Sequence, residues 1–413
     1  MKWQTKTRDE ALSFAEILQP DKLRKALLTT FVLDLGWLMS HVKDSTKIVL
    51  VKSYNPQAER SGVLQTDSGN LTIVHPEFPR QRYPIMHSKV MLLFYDNYAR
   101  FVASSANLIE IDWSVMQNIV FIQDVPFTPG KMQRRTEFKD SLAAALRDLS
   151  VPSQVVAQLD WMDFSKVKAH IVTSVPSSLG HGKLHAEHYG MLRLSQIVQN
   201  MQEQEQSPSN ESSADPVHGD TQLCCYGSSM GNLRHAYLRD FFLCATGTKS
   251  SDLWKRDRAP LSSVCPNIKI GFHTDAQGES CIYGPAARTC IKFPKSYYLG
   301  STTYPKDMLH KIEPKYANTL VHAKVMVARK GERQDRGWMY LGSHNFTAGA
   351  WGRLNKSGGI SINNYEFGVV LPDAHFETKF GRDSVTWNGA SVPMPFKLEW
   401  EPFGPGDIPC LSE

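Results

Sequence analysis

Two stretches of this 413-residue chain carry the same polar side chains in the same order. Each has a histidine, a lysine two positions later and, after two apolar runs, an asparagine: His87, Lys89 and Asn107 in the first stretch, and His322, Lys324 and Asn345 in the second. A neutral imidazole can attack phosphorus to form a phosphohistidine, and a second, protonated imidazole can protonate the leaving oxygen. Ammonium and amide groups can hold the non-bridging oxygens. Together the stretches predict phosphodiester cleavage without a metal ion.

The alternative for either stretch is a surface strand with two solvated polar residues. For a single copy that interpretation is the better one. A second copy, again followed by a step of small residues that ends in asparagine, makes coincidence the weaker explanation.

Both stretches predict β-hairpins, because their short runs of Val, Leu, Met and Phe are bounded by Asp, Asn and Gly. The first hairpin turns at Asp96-Asn97, and the second needs a longer polar loop over residues 330–337. Residues two apart on a strand point to the same face, so each histidine shares a face with its lysine. The asparagine can join them from the neighbouring strand, and we expect each hairpin to build half of one site.

The rest of the chain alternates strands and helices, which predicts an α/β fold. Apolar stripes predict helices over residues 136–149 and 189–202, and a helix is also expected near Ala26. Strands are predicted at residues 48–51, 71–74, 118–122, 170–173, 268–272 and 367–371. We expect two domains, 1–166 and 167–413, and a flexible surface loop at 202–216, whose composition cannot form a core.

Composition restricts the functional class only weakly. The formal net charge of +5 suits a polyanionic substrate without requiring one. No apolar stretch is long enough to cross a bilayer, and the N-terminus lacks the apolar core of a secretory signal. The seven cysteines include no Cys-x-x-Cys pair, which favours a reducing compartment over a disulfide framework or a thiolate zinc site.

The two motifs resemble the phospholipase D superfamily and, within it, the tyrosyl-DNA phosphodiesterases, as a fungal-type catalytic core. The superfamily pattern has an aspartate five positions after each lysine, where this chain has Phe94 and Arg329. The tyrosyl-DNA phosphodiesterases are the branch that lacks this aspartate. Surrounding segments agree with that branch: Asp112-Trp113 after the first asparagine, Ala350-Trp351-Gly352 after the second, and residues 365–369 (YEFGV). The resemblance implies two phospholipase D-like domains, each a mixed sheet flanked by helices, related by a pseudo-two-fold axis with the active site between them.

Site roles follow from the resemblance by matching position. His87 matches the nucleophile, and His322 matches the general acid that later activates water. The residues that match the phosphate-binding groups are Lys89, Lys324, Asn107 and Asn345. Gln117 and Glu366 match the pair that orients the two histidines, although Gln117 aligns only if one position is skipped. The resemblance implies neither a metal nor another cofactor.

The substrate implied by the resemblance is a single-stranded or double-stranded DNA 3′ end that carries a tyrosyl peptide, such as a topoisomerase I remnant. Tyr83 matches an aromatic residue on which a base can stack, and a core tyrosine is the alternative. Ser228 and Ser229 match a DNA-contacting loop, and a plain turn is the alternative. We expect a monomeric, nuclear DNA-repair enzyme with no membrane partner. The competing functions are another phospholipase D-type nuclease or lipid phosphodiesterase, and a non-catalytic nucleic-acid-binding protein.

Three further features depart from these patterns. His181, His185 and His188 lie close together, but their order does not match a zinc motif, so a polar loop is the better interpretation. His344 stands in the second asparagine step and either lines the site or is structural. Cys410 occupies a position where the family pattern has tryptophan.

Overall fold

The computed structural model describes residues 2–5, 11–54, 62–65, 69–78, 85–132, 135–177, 180–205, 221–254, 267–330, 336–356, 358–372, 379–380 and 385–413. The first strands are β1 (Lys2–Thr5), β2 (Lys25–Thr30), β3 (Lys47–Lys52), β4 (Val63–Gln65), β5 (Leu71–Val74), β6 (Ile85–Met86), β7 (Val90–Phe94), β8 (Tyr98–Ser104) and β9 (Ile119–Pro126). They are followed by β10 (His170–Ser174), β11 (Gln222–Gly227), β12 (Ile268–Phe272), β13 (Leu309–Lys311), β14 (Lys324–Lys330), β15 (Arg336–Gly342), β16 (Arg353–Leu354), β17 (Ile360–Ser361), β18 (Asn364–Leu371), β19 (Lys379–Phe380), β20 (Val385–Trp387), β21 (Ala390–Val392) and β22 (Glu401–Pro402).

The helices are α1 (Phe14–Leu18), α2 (Leu35–Met39), α3 (Glu110–Ser114), α4 (Glu137–Asp148), α5 (Ser153–Val156), α6 (Lys183–Ala186), α7 (Gly190–Glu205), α8 (His235–Ala245), α9 (Ser250–Leu253), α10 (Asp275–Glu279), α11 (Gly284–Arg288), α12 (Lys295–Tyr298) and α13 (Ala348–Trp351). Helix α4 begins where the sequence predicts, because the Thr136 hydroxyl accepts a hydrogen bond from the Lys139 N–H. No helix in the described part of the chain is long and apolar enough to span a membrane.

The described strands form two large sheets, and the first seven strands of each follow the chain in the same order; the edge strand differs, because β4 lies in the chain between β3 and β5 whereas β22 lies near the C-terminus. The first has the order β1-β9-β8-β7-β2-β3-β5-β4, and the second has the order β10-β18-β15-β14-β11-β12-β13-β22. In each, three neighbouring strands are parallel (β2, β3 and β5; β11, β12 and β13) and the others are antiparallel. Strands β7 and β14 occupy equivalent central positions, and the two His-x-Lys motifs lie at their beginnings: His87 and Lys89 precede β7, and His322 precedes β14, which begins at Lys324. The predicted duplication thus extends over seven strands of each sheet.

The two sheets pack face to face, with helices on their outer faces. Successive residues of β8 alternate between the layers: Phe101 faces the core between the sheets, and Val102 faces the outer core with α1 to α3. From the other sheet, Phe367 reaches the same inner core, and its ring centroid lies 5.9 Å from that of Phe101. Helices α7 and α8 cover the outer face of the second sheet. This four-layer arrangement confirms the predicted α/β fold of two mixed sheets flanked by helices.

Two of the sequence predictions are wrong in detail. The segment near Ala26 is strand β2 and not a helix, because its apolar residues are buried on both faces of a sheet. Residues 202–205, expected to begin a flexible loop, continue helix α7, where Gln and Glu are good helix formers. The remainder of that predicted loop, 206–216, lies outside the described residues. The six cysteines in the described part of the chain are unpaired.

A pair of glycines brings β15 and β18 together beside the site. Gly342 and Gly368 are direct partners in the ladder, and the Tyr340 ring lies over Gly368. A Cβ atom on Gly368 would lie well inside van der Waals contact with that ring. Because the Tyr340 hydroxyl is hydrogen-bonded to the buried His344, the ring has little freedom to move away.

We therefore expect Gly368→Ala to lower the free energy of unfolding by about 1–3 kcal/mol, the range of overpacked core substitutions. Urea denaturation monitored by circular dichroism measures this difference. Gly130→Ala is the matched control, because a Cβ at Gly130 meets no atom within 4 Å. Equal stabilities of the two variants would contradict the close packing of Tyr340 on Gly368.

Candidate active site

His87 is fixed by contacts with the opposite half of the chain. Strand β6, which precedes it, pairs in parallel with β18 of the second sheet. The backbone N–H of His87 donates to the carbonyl of Tyr365 at 2.9 Å. Its Nδ1 atom lies 2.8 Å from Oε2 of the buried Glu366. A carboxylate at this position accepts Nδ1–H and leaves the lone pair on Nε2, the state that a nucleophile requires.

Glu366 is itself held by polar neighbours. The Ser343 hydroxyl donates to Oε2 at 2.5 Å, and the amide of Asn364 donates to Oε1 at 2.9 Å. Burial acts to raise the pKa of Glu366, but the neighbouring His87 outweighs it and lowers this pKa to about 2. Burial lowers the pKa of His87 to about 4, although the Glu366 carboxylate acts against that shift. In the free protein His87 is thus neutral and Glu366 is ionised at pH 7.

His322 repeats this arrangement in the reverse direction. Its backbone N–H donates to the carbonyl of Gln117 in the first half at 2.8 Å. Its Nδ1 atom lies 3.3 Å from Oδ2 of Asp112, without the alignment of a hydrogen bond. Asp112 is fully buried, and the same oxygen accepts the backbone N–H and the side-chain amide of Asn107 at 2.6 and 2.9 Å. Each histidine therefore faces a carboxylate from the other half.

The electrostatics of this second pair follow the first. Burial acts to raise the pKa of Asp112, but His322 and the hydrogen bonds from Asn107 lower it to about 2. Burial lowers the pKa of His322, and the Asp112 carboxylate opposes that effect. Loss of the carboxylate would consequently make the imidazolium form of His322 less stable.

The two lysines are buried, and their charges act on both histidines. The Nζ atom of Lys89 donates to the carbonyl of His87 at 2.9 Å, and Lys324 makes the equivalent bond to His322. Burial lowers the pKa of Lys89 to about 8. Burial also lowers the pKa of Lys324, and the nearby Lys89 ammonium adds to the effect. Two ammonium groups held this close favour an anion between them.

The two asparagine side chains are oriented by loops that follow equivalent strands. Oδ1 of Asn107 accepts the backbone N–H of Val32, which follows β2, at 3.2 Å. Oδ1 of Asn345 accepts the backbone N–H of Ser229, which follows β11, at 3.0 Å, and the Ser228 hydroxyl lies 3.4 Å away. With both carbonyl oxygens occupied, the amide N–H groups are the atoms available to an anion. The Ser228-Ser229 turn thus contacts the site through Asn345.

The expected role of the Gln117 side chain does not fit the structure. Its amide donates to the Thr319 hydroxyl, and its Oε1 has no hydrogen-bond partner among the described residues. The hydrogen bond that joins Gln117 to His322 is made by the backbone carbonyl of Gln117. The skipped alignment position explains the error. The structural counterpart of Glu366 is Asn118, because each accepts a serine hydroxyl and precedes the residue whose N–H donates to that serine.

Sequence reasoning gave no role to two residues that the structure places in the site. Asp112 was part of the matching Asp-Trp segment, and an acid five positions after a candidate phosphate-binding asparagine was the available signal. Phe31 lies with its ring centroid 5.4 Å from that of His87, and the Lys89 ammonium lies 5.9 Å from the Phe31 ring. Phe31 remains partly exposed. Nothing in the sequence marks Phe31 as a site residue, because a phenylalanine that follows an apolar strand is common in any fold.

Other candidate residues lie apart from the site or are structural. His344 is fully buried, bonded to Ser174 and Tyr340 and packed on Trp351, so it is structural. Nε2 of His181 donates to the Val175 carbonyl at 2.7 Å. No group of three or more metal-ligating side chains occurs in the described parts of the chain. Tyr83 lies outside the described residues.

Replacement of Asp112 by asparagine tests the contact with His322. We expect Asp112→Asn to lower the pKa of His322, because the opposite charge that supports the imidazolium is removed. NMR titration of the His322 ring protons measures the change. Glu366→Gln serves as the matched variant and should lower the pKa of His87 while leaving the His322 titration unchanged. An unchanged His322 titration in Asp112→Asn would contradict the pairing.

Comparison with known proteins places this geometry in a family. The family model described as tyrosyl-DNA phosphodiesterase matches residues 1–404. Tyrosyl-DNA phosphodiesterase 1 of Drosophila melanogaster is 26% identical, over 98% of this chain and 71% of that protein. The Arabidopsis thaliana protein of the same name is 24% identical, over 96% of this chain and 70% of that protein.

A solved structure shows the same fold. The crystal structure of the yeast tyrosyl-DNA phosphodiesterase covers 97% of both chains with a TM-score of 0.71 and 17% identity. The family match extends over both half-sites and nearly the whole chain. It favours the main prediction over a general nuclease or lipid phosphodiesterase. The chain belongs to the tyrosyl-DNA phosphodiesterase family.

Proposed function

We propose that this protein is a DNA-repair enzyme that hydrolyses the bond between a DNA 3′ phosphate and a tyrosine, such as a topoisomerase I remnant, or another 3′ adduct. The observation that carries the proposal is the crosswise pairing of His87 with Glu366 and of His322 with Asp112. It supplies two imidazoles whose Nδ1 atoms face carboxylates, so that both Nε2 atoms are free for chemistry.

In the first step, the lone pair on Nε2 of His87 attacks phosphorus, and the bond from phosphorus to the tyrosyl oxygen breaks. His322 donates its proton to that oxygen, which leaves as tyrosine. In the second step, a water gives its proton to His322 while its oxygen attacks phosphorus. The phosphorus–nitrogen bond then breaks, and a DNA 3′ phosphate and neutral His87 are released.

The charge balance of the site supports protonation of His322 when substrate is bound. With both imidazoles neutral, the ammoniums of Lys89 and Lys324 balance the carboxylates of Asp112 and Glu366. A phosphodiester adds one negative charge in a buried environment, and this raises the pKa of His322. The lysines and the amides of Asn107 and Asn345 would hold the non-bridging oxygens.

The enzyme would act as a monomer, because each half of the chain supplies one set of catalytic groups. The proposed domain boundary, between residues 166 and 167, lies between β9 of the first sheet and β10 of the second. The reaction as written uses no metal ion or other cofactor. The enzyme would act in the nucleus on single-stranded or double-stranded DNA ends, where Ser228, Ser229 and Tyr83 would contact the strand.

The direct test uses an oligonucleotide with a 3′-phosphotyrosine and follows its conversion to a 3′ phosphate on a denaturing gel, in excess chelator. His87→Ala should abolish turnover and form no protein–DNA adduct. His322→Ala should slow turnover by roughly 10²–10⁴-fold and let the adduct accumulate. His188→Ala, at an exposed histidine outside the site, is the control. Normal turnover by His87→Ala, or loss of wild-type activity in chelator, would disprove the mechanism.

The pH dependence of kcat/KM should be bell-shaped. Activity falls below about pH 4, because His87 becomes protonated and loses its lone pair. It falls at higher pH, because His322 loses the proton that it donates to the leaving oxygen. Burial lowers the pKa of His322 in the free protein, so this limb lies below the ordinary pKa of histidine. Glu366→Gln should move the acid limb to lower pH, since the carboxylate raises the pKa of His87. An acid limb that stays in place in this variant would show that another group controls it.

A further inference from the structure

A second polar cavity lies outside the histidine site. It has a volume of about 430 Å³ and lies among α8, α9 and the segment that begins with β16. The lining residues that matter here are Asn232, Arg234, Tyr237, Trp254, Arg353 and Lys356. None of them takes part in the chemistry proposed above.

The cavity is strongly basic. Among the described lining residues the single acid is Asp240, and it is paired with Arg239, whose Nε lies 3.0 Å from the carboxylate. Arg234, Arg353 and Lys356 are exposed, and none has an acidic partner in the described part of the chain. Three uncompensated cations around one concave surface favour an anionic ligand.

An unsatisfied buried hydroxyl lies at the same place. Tyr237 is 6% exposed, and its OH has no hydrogen-bond partner among the described residues. A buried hydroxyl without a hydrogen-bond partner lowers the stability of the protein, and a ligand atom that supplies the missing hydrogen bond removes this cost. Burial raises the pKa of Tyr237 well above its usual value, and the nearby Arg353 guanidinium acts in the opposite direction. The Tyr237 hydroxyl, which can donate a hydrogen bond, therefore lies close to the positive charge of Arg353.

Two chain segments connect this cavity to the histidine site. One runs from Ser229, which holds Asn345, to Arg234, and five residues span at most about 18 Å. The other runs from Asn345 through α13 to Arg353. The segments touch, because a Cβ on Gly231 would lie 3.0 Å from Thr347. Each nucleotide of a B-form strand advances about 3.4 Å along the helix axis, so a span of at most about 18 Å places the cavity within roughly five nucleotides of the reacting phosphate.

We propose that this basic cavity binds a backbone phosphate of the DNA strand a few nucleotides upstream of the 3′ end. This rests on the proposed function. Arg353 and Lys356 neutralise the phosphate, the Tyr237 hydroxyl donates to it, and Trp254 offers a surface for a base or sugar. DNA fits better than the peptide of the adduct, because its backbone carries a negative charge at every residue, whereas a peptide does not.

The test compares two substrates with the same 3′-phosphotyrosine, one of 3 and one of 12 nucleotides, on the order of the spacing argued above. Arg353→Glu with Lys356→Glu should reduce kcat/KM for the long substrate by about tenfold or more, the worth of one charged hydrogen bond. The short substrate should be cleaved as by the wild type. The dependence of log kcat/KM on log salt for the long substrate should become shallower by about 1–2.

Two further variants distinguish a loss of DNA binding from an effect of net charge and from a loss of stability. Lys22→Glu with Lys166→Glu makes the same change in net charge at exposed lysines that line none of the described cavities, and it should leave both substrates unaffected. Tyr237→Phe removes a hydroxyl that bonds no described residue, so it should preserve stability and weaken only the long substrate.

Three results would overturn the cavity proposal: equal losses on both substrates, no loss on either, or, when the tyrosine of the 3-nucleotide substrate is extended to a peptide, a loss that grows with the length of that peptide. The last would make the cavity a peptide site. Failure of the wild type to cleave either substrate would instead disprove the proposed function. Anisotropy of a labelled 12-nucleotide 3′ phosphate measures binding in all variants independently of turnover.

Discussion

Both imidazoles at the centre of this molecule lie in its interior, where a protonated ring needs an opposite charge beside it. In each case the charge comes from the other half of the chain: Glu366 faces His87, and Asp112 faces His322. The backbone N–H of each histidine is bound by the other half as well. Neither half can complete the site alone. The core between the two sheets, where Phe101 meets Phe367, is what keeps these groups in register.

The two halves share the topology of seven strands but differ in the side chains at the site. Ser105 and Ser343 make the same hydrogen bonds, yet the residue they orient is Asn118 in one half and Glu366 in the other. The first half supplies its carboxylate from α3 through Asp112, which also binds Asn107. His87 consequently has a well-aligned hydrogen bond, whereas His322 has a looser ionic contact. This difference suits one imidazole to attack and the other to exchange protons.

The positively charged side chains discussed above fall into a buried pair at the site and an exposed group at the basic cavity. Lys89 and Lys324 are buried, so their charges are little screened and depend on the two carboxylates. Arg234, Arg353 and Lys356 are exposed on the second half, where they would act on a polyanion through counterion release. Asn345 belongs to both regions, because Ser229 holds it and the segment after it leads to Arg353. Asn345 therefore lies between the proposed position of the reacting phosphate and the surface along which the DNA strand would lie.

The α/β class, the duplicated hairpins and the six repeated residues can be predicted from the sequence, because strand period and motif spacing are local properties. The resemblance of its segment also indicates Glu366. The sequence does not show which residue approaches the His322 ring, because that depends on how the two halves pack, and Asp112 and Gln117 lie only five positions apart. The strand at Ala26 has no alternating pattern, because it is buried on both faces, and so it escapes prediction. The crosswise pairing of imidazoles and carboxylates is a property of the tertiary structure alone, because each pair joins residues more than 200 positions apart.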